Sequence, residues 1–314
     1  MAAVRILRRE DVERALGMAA CIDAVEAAFV AYSAGRAELP GVIHLDVPEA
    51  RGEIHVKAGH IHGAPVYAVK VASGFYAAEP AAIDGMVIAF DATSGAPVAL
   101  LLDGGYLTDL RTGAAGGVAA RWLAPSPVAK VAVIGTGIQA RRQLEALRVV
   151  APGGFDVAVW GRDAARAAAA ASDVGGTTAA TVAAAVEGTD VVITCTASRT
   201  PLVTADMLAP STLVIAVGSD GEGKQELDPE VLRGADAVVV DSLDQSRRLG
   251  ELQHAPEQAA RAVELGAVVD AGAPRRTVHG WTVCDLTGVG VQDVAAANAV
   301  LANVAPGAGE MVEP

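Results

Sequence analysis

The chain has little cysteine and no excess of basic charge. Cys21, Cys195 and Cys284 are its only cysteines in 314 residues, odd in number and widely spaced. That spacing excludes a disulfide framework or a cysteine-based zinc site and reads as reduced cytosolic thiols. A formal net charge of −13 argues against nucleic acid or an anionic membrane as the main partner. No uninterrupted apolar stretch is long enough to cross a bilayer, because charges and glycines break each candidate. The N-terminal run Met1-Ala-Ala-Val-Arg5 has no long apolar core before a small-residue cleavage site, so no signal peptide is read. What remains is a soluble, cytoplasmic, enzyme-sized chain with enough apolar content for two cores.

What is present is a glycine turn in mid-chain: Lys130-Val-Ala-Val-Ile-Gly135-Thr-Gly137-Ile-Gln-Ala140. A β-branched run enters it, and a helical pattern of Ile138, Gln143, Leu144 and Leu147 leaves it. In that strand–turn–helix context G-x-G-x-x-G/A predicts a dinucleotide site. Gly135 permits the turn, Gly137 lets backbone approach a pyrophosphate, and Ala140 lets helix pack on strand. The helix N-terminus would present its N–H groups to the phosphates. Because this unit starts so late, a separate structure must precede it and carry the substrate chemistry.

The segment Asp11–Ala34 has helical periodicity through Val12, Leu16, Ile22, Val25 and Phe29, with Asp11 as its cap. Short β-rich runs follow at 41–47, 53–58, 66–73, 86–91 and 97–102, with a hairpin turn at Thr93-Ser94-Gly95. Residues 103–123 read as helix, and Pro125 and Pro127 mark a domain boundary. Strands then alternate with helices: 131–134, 156–160, 191–196, 213–218 and 237–241 around helices near 138–150, 162–172, 181–186 and 229–233. Such near-continuous apolar strands predict a parallel sheet buried on both faces. Beyond it, 246–254 and 257–265 look helical, 282–286 looks like a strand, and 293–304 is a helix expected to return to the first domain.

Five positions carry candidate chemistry. The second strand of the dinucleotide unit ends in Trp160-Gly161-Arg162, with no carboxylate before Asp163. Arg162 therefore tilts the cofactor toward NADP(H) through a 2′-phosphate, unless it is a solvated helix-start arginine. Asp220, in Gly218-Ser-Asp220-Gly-Glu-Gly-Lys224, follows a sheet strand at the edge where ligands bind. It is either a proton-exchanging group or part of an Asp-Gly turn, and Lys224 is otherwise a surface lysine. Lys70 lies in the apolar strand Tyr67-Ala-Val-Lys70-Val-Ala. It either aims an ammonium at a substrate carboxylate or faces outward from an edge strand. Arg111 offers a planar fork for a carboxylate or phosphate, or else pairs with Asp109 or Asp103. His44, His55, His60 and His62 lack the acidic or cysteine neighbours of a recognisable metal spacing, so no metal is expected.

Taken together, these segments resemble the ornithine cyclodeaminase/μ-crystallin family over most of the chain. The resemblance rests on Tyr67-Ala-Val-Lys70-Val, Phe90-Asp-Ala-Thr-Ser-Gly95, Asp103-Gly-Gly-Tyr-Leu-Thr-Asp-Leu-Arg111-Thr, the turn itself, Ala216-Val-Gly-Ser-Asp220-Gly-Glu-Gly-Lys224-Gln-Glu226-Leu, and Val283-Cys-Asp-Leu-Thr-Gly288. It implies a Rossmann-type doubly wound parallel sheet (residues 124–290) plus an α+β substrate-binding and dimerisation domain (1–123 with 291–314), with a site between them. It further implies that Lys70 and Arg111 grip a substrate carboxylate and that Asp220, with Lys70, is catalytic. Arg111, Thr112, Gly135, Thr136, Gly137, Ile138, Gln139, Arg162, Thr196, Gly218, Lys224, Leu286 and Thr287 would line the dinucleotide. The family pattern departs at two places: no arginine follows Pro40, and Lys57 stands where the cyclodeaminase proper has a catalytic glutamate, unless Glu53 takes its place by a slip of register. The expected activity is therefore an NAD(P)(H)-dependent oxidoreductase of α-imino or α-amino acids, acting as a homodimer. The alternatives are a cyclodeaminase-type ammonia-lyase and a non-catalytic NADP(H)-binding protein.

Overall fold

The structure is a computed structural model that describes residues 3–75, 77–78, 82–272 and 279–313; Met1 and Ala2 lie outside the described residues. The chain divides into two compact units, 1–111 with 289–314, and 112–288. Sequence reading put the first boundary at Pro125 and Pro127. The units instead part inside the helix Tyr106–Leu123, so Arg111 belongs to the first and Thr112 to the second.

In the first unit the strands Pro97–Leu102, Ala82–Asp91, Val66–Phe75 and Gly52–Ile61 form an antiparallel series. The outer strands of this eight-stranded sheet include Val4–Arg8, which pairs parallel to Pro97–Leu102, and Glu310–Val312 beyond it. Neither was legible as a strand in the sequence, since each is short and takes its place through pairing distant in sequence. Val42–Val47 pairs antiparallel with Gly52–Ile61. The single helix expected over 11–34 is two, Arg9–Ala15 and Met18–Ser33, parted at Leu16-Gly17. Asp11 is not its cap. It sits in the first turn, where its carboxylate accepts from the backbone N–H of Arg8. The helix Gly290–Asn303 packs on the Met18–Ser33 helix and on the strands Gly52–Ile61 and Val66–Phe75.

The second unit is a parallel sheet of eight strands. In spatial order these are Thr177–Thr178, Asp156–Trp160, Lys130–Ile134, Val191–Thr194, Leu213–Ala216, Thr282–Asp285, Ala237–Val240 and Val263–Glu264. Four of the central strands are buried along both faces, which is why they read as unbroken apolar runs. The segment 257–265, expected helical, is a 3-10 turn at Pro256–Ala260 and a short strand at Val263–Glu264. Strand order reverses between Lys130–Ile134 and Val191–Thr194, the switch point where such sheets bind ligands. No single helix among the described residues is long and apolar enough to cross a membrane.

Candidate functional site

Register collects the predicted cofactor residues on one edge of the parallel sheet. Ile134 lies opposite Thr194, Thr194 opposite Ala216, and Ala216 opposite Asp285. The residues following these four strand ends therefore emerge side by side: Gly135–Gln139, Thr196, Gly218, and Leu286 with Thr287. At Gly135, φ is +140° and a Cβ would stand 2.7 Å from the Cys195 carbonyl oxygen, so glycine is required on two counts. Gly137 precedes the helix Ile138–Val150, and among the described residues nothing outside its own chain neighbours lies within 4 Å of where its Cβ would be. Further along, a Cβ on Gly113 would press on the Arg142 backbone at 2.8 Å, and Gln143 donates to the Thr112 carbonyl. The close approach fixes Thr112 beside the helix that leaves the turn. These features fit a dinucleotide whose pyrophosphate rests on backbone N–H groups.

Sequence reading missed the groups that brace this edge. Glu226, fully buried, accepts from Thr194 Oγ1 at 2.7 Å, Thr196 Oγ1 at 2.8 Å and the Gly218 N–H at 2.8 Å. It ties two adjacent strand ends together; burial raises its pKa, and these hydrogen bonds oppose that rise. A Cβ on Gly218 would collide with the Thr196 carbonyl and with the Glu226 carboxyl. Gly218→Ala is thus expected to spread the edge and weaken dinucleotide binding at least about tenfold, a loss of roughly 1.4 kcal/mol, measured by fluorescence titration with NADH. Unchanged affinity would show that the brace is irrelevant to binding. Asp241 accepts from Thr287 Oγ1 at 2.8 Å and from the Gly288 N–H at 2.7 Å, fixing the last loop of the edge. Next to it, burial pushes Asp285 up to about 7, against a hydrogen bond from Ser246.

Asp220 lies on the loop after Leu213–Ala216, on the same edge. Its Oδ1 is 2.7 Å from Lys224 Nζ; the carboxylate is half exposed and the lysine nearly buried. Gln253 and His254 hold this loop. The Gly223 N–H donates to Gln253 Oε1 at 2.8 Å, and His254 Nε2 lies 2.8 Å from the Lys224 carbonyl. The Asp-Gly turn is therefore a braced loop with a charged pair at its tip.

The first unit assembles a second group. Lys70 is not on an edge: its strand is paired on both sides, and it shares the parity of buried Val66 and Ala68. Arg111 pairs with neither Asp109 nor Asp103. Its Nε donates to Asp293 Oδ1 and its Nη1 to Gln292 Oε1, both at 2.9 Å. Lys70 Nζ lies 3.4 Å from the other oxygen of Asp293. Asp293 is brought there by close packing, because a Cβ on Gly290 would stand 2.6 Å from the Ala58 carbonyl oxygen. Lys57 is directly opposite Lys70 across the strand pair and is also buried. The register runs without a break here, so Glu53 lies opposite Gly74 and does not take the place of Lys57.

Burial, followed by the fields of Arg111 and Lys57, lowers Lys70 to about 7 from an ordinary value of 10.5. Between those values the unfolded chain binds a proton that the folded chain has released, so this lysine makes stability rise with pH. Below about 7 its penalty is present in full. We expect Lys70→Met to flatten the pH dependence of urea unfolding between pH 7 and 9 by up to about 1.4 kcal/mol per pH unit. A slope unaltered by the substitution would mean that Lys70 titrates normally.

The histidines do not gather into a metal site. His44 and His55 meet edge to face at 4.6 Å, and among the described residues no group of three or more His, Cys, Asp or Glu is placed to hold an ion.

A putative dehydrogenase of Rhizobium meliloti is 42% identical over 293 residues, 88% of this chain and 88% of its own length. Among solved structures, an archaeal alanine dehydrogenase dimer with bound NAD superposes with a TM-score of 0.89 at 32% identity, covering 99% of both chains. The iminosuccinate reductase of Paracoccus denitrificans in complex with NAD+ superposes at 0.88 and 28% identity, covering 99% of this chain and 100% of its own. These findings overturn the NADP(H) preference drawn from Arg162, since both solved relatives hold NAD. The physical reason is visible in the loop. Arg162 is solvent-exposed and adjoins Asp163, whose carboxylate caps the next helix by accepting from the Arg166 N–H at 2.9 Å. One solvated arginine beside a carboxylate is not a phosphate site. The family model for the ornithine cyclodeaminase/mu-crystallin family matches residues 3–307, and the chain belongs to that family.

Proposed function

We propose that the chain is an NAD(H)-dependent oxidoreductase that interconverts an α-imino acid and the corresponding α-amino acid. The observation that carries this reading is the buried cluster in which Lys70 and Arg111 share Asp293. A substrate α-carboxylate suits such cations, and one hydrogen-bonded to both would be fixed in orientation. In the reductive direction Cα of a C=N bond gains a hydride and the nitrogen gains a proton. A bound nicotinamide dinucleotide supplies that hydride, or accepts it in the reverse direction. Gly135, Thr136, Gly137, Ile138, Gln139, Thr196, Gly218, Leu286 and Thr287 are the residues we assign to holding it. Asp220, charge-paired with Lys224, is the group assigned to exchange the nitrogen proton.

The cyclodeaminase alternative needs a carboxylate where this chain has Lys57, and register keeps Glu53 away from that position. The first unit also exposes Ile43, Leu45 and Met86 on the strands of its sheet. We assign these to a homodimer contact, in keeping with the dimeric archaeal relative. Three free cysteines agree with a reducing cytoplasm.

The test follows nicotinamide absorbance with NADH and 2-oxo acids plus ammonium, and with cyclic imino acids. Stoichiometric loss of NADH with at least one substrate class is expected. Release of ammonia from an amino acid with no net change in absorbance would establish the lyase instead.

A further inference from the structure

We propose that Asp285 is a positioning residue for the dinucleotide edge, and that it holds the edge in place in its neutral, carboxylic-acid form. This inference rests on the assignment of that edge to NAD(H) and adds a bound proton to what the edge requires.

Asp285 ends the strand Thr282–Asp285, directly before Leu286 and Thr287, and is fully buried. Its Oδ2 accepts from Ser246 Oγ and, at 3.4 Å, from the Leu252 N–H. A Cβ on Gly250 would collide with the same oxygen, so the carboxyl is packed against the start of the 3-10 turn Glu251–His254. That turn holds the rest of the edge. The Glu251 carboxyl accepts from the N–H groups of Glu226 at 2.8 Å and Leu227 at 3.3 Å. It thereby fixes the backbone of the residue that braces Thr194, Thr196 and Gly218. Gln253 and His254, from the same turn, hold the loop of Asp220. One buried carboxyl thus supports both the brace and the loop.

The setting suits the acid and disfavours the carboxylate. Among the described residues the buried Oδ1 of Asp285 accepts no hydrogen bond. An unpaired oxygen in a dry site is far less costly on a neutral carboxyl than on an ion. The titratable groups facing Asp285 are themselves acids: Asp241 just past the neighbouring strand Ala237–Val240, Glu251 from the turn, and Cys284 beside it. Glu226 lies beyond Glu251 and acts on it. Arg247 and Arg248, on the helix that carries Ser246, are exposed, and Arg248 pairs with Asp244. His254 is turned to the Lys224 carbonyl. Burial, the largest cause, raises Asp285 to about 7; the Ser246 hydrogen bond opposes this rise and the field of Asp241 adds to it. Loss of the proton places a charge beside Asp241 and Glu251, where like charges repel. Strand end and turn then part or admit water, and the hold on Glu226 and on the Asp220 loop loosens. The phosphates of a dinucleotide on this edge add negative charge of their own, so the ligand favours the protonated chain.

The test is fluorescence titration with NADH across the range in which Asp285 ionises. The Kd is expected to rise about tenfold or more as pH is raised from about 6 to about 9. Asp285→Asn keeps the shape and cannot ionise, so it should bind at the upper pH as tightly as the unmodified chain does at the lower. Ser246→Ala removes a hydrogen bond that favours the carboxylate, and should move the limb up by about one pH unit. A merely structural role for Ser246 would change Kd without moving the limb. A Kd independent of pH overturns the proposal, as does a limb that persists in Asp285→Asn. Persistence there with loss in Glu251→Gln would assign the proton to Glu251. If Asp285→Asn does not fold, the Ser246→Ala limb decides, and an unmoved limb overturns the proposal. If NADH binds at no pH, the dinucleotide reading fails, and hydrogen exchange on the unliganded chain decides the role of Asp285. Protection of the Leu252 and Gly223 amides should then fall about tenfold over the same pH range in the unmodified chain and hold in Asp285→Asn. An equal fall in both overturns the proposal.

Discussion

Asp293→Ala is expected to destabilise the folded chain by about 3–5 kcal/mol, the cost of leaving buried charge without its counter-ion. The carboxylate is 2% exposed and is the partner of both Arg111 and Lys70. Burial by itself would raise its pKa, but Arg111, Lys70 and Lys57 together overcome that and hold the carboxyl below its ordinary range. The carboxylate thus contributes stability above the unfolded pKa, and that stability is lost as pH falls through the lower folded value. Truncation removes all of it at neutral pH and exposes the three cations to one another. Urea unfolding at pH 7 measures the effect. Asp293→Asn should lose nearly as much, because an amide keeps the shape and none of the charge. Adding Lys57→Met to Asp293→Asn should recover part of the loss, since one of the stranded charges is then gone. If Asp293→Ala costs under about 1 kcal/mol, the cluster is better hydrated than its burial indicates.

Asp293 also marks the limit of what the sequence made legible. The helix carrying it was visible from periodicity, yet nothing in that periodicity links residue 293 to residues 70 and 111. Lys70 was the more readable partner, because strand alternation puts it on the face of Val66 and Ala68, both buried. The bland alternative failed for a topological reason: its strand has neighbours on both sides, and sequence alone does not assign edges. The glycine turn was fully legible, since glycine spacing, an apolar strand and a helical exit are all local features. Glu226 was not, although Gly-Lys-Gln-Glu was quoted as a motif, because its role depends on hydrogen bonds to two other strand ends. Arg162 misled for the opposite reason. A local rule gave it meaning, while its exposure and its acidic neighbour remove that meaning.

Asp220→Asn is expected to lower kcat by about 100- to 10,000-fold, the usual worth of a positioned proton-exchanging group. Asparagine preserves size and can still accept from Lys224 Nζ, which is now 2.7 Å from Oδ1. The brace from Gln253 and His254 acts on Gly223 and on the Lys224 carbonyl and does not involve the Asp220 side chain, so the loop should keep its course. Dinucleotide affinity should accordingly stay close to that of the unmodified chain, because the assigned contacts lie at Gly135–Gln139 and Gly218. The readout is therefore a split: kcat falls while the Kd for NADH, taken from fluorescence titration, holds. A proportionate loss of both would assign Asp220 to binding. Unchanged kcat would return it to the Asp-Gly turn of the simpler reading, with the nitrogen proton exchanged by another group.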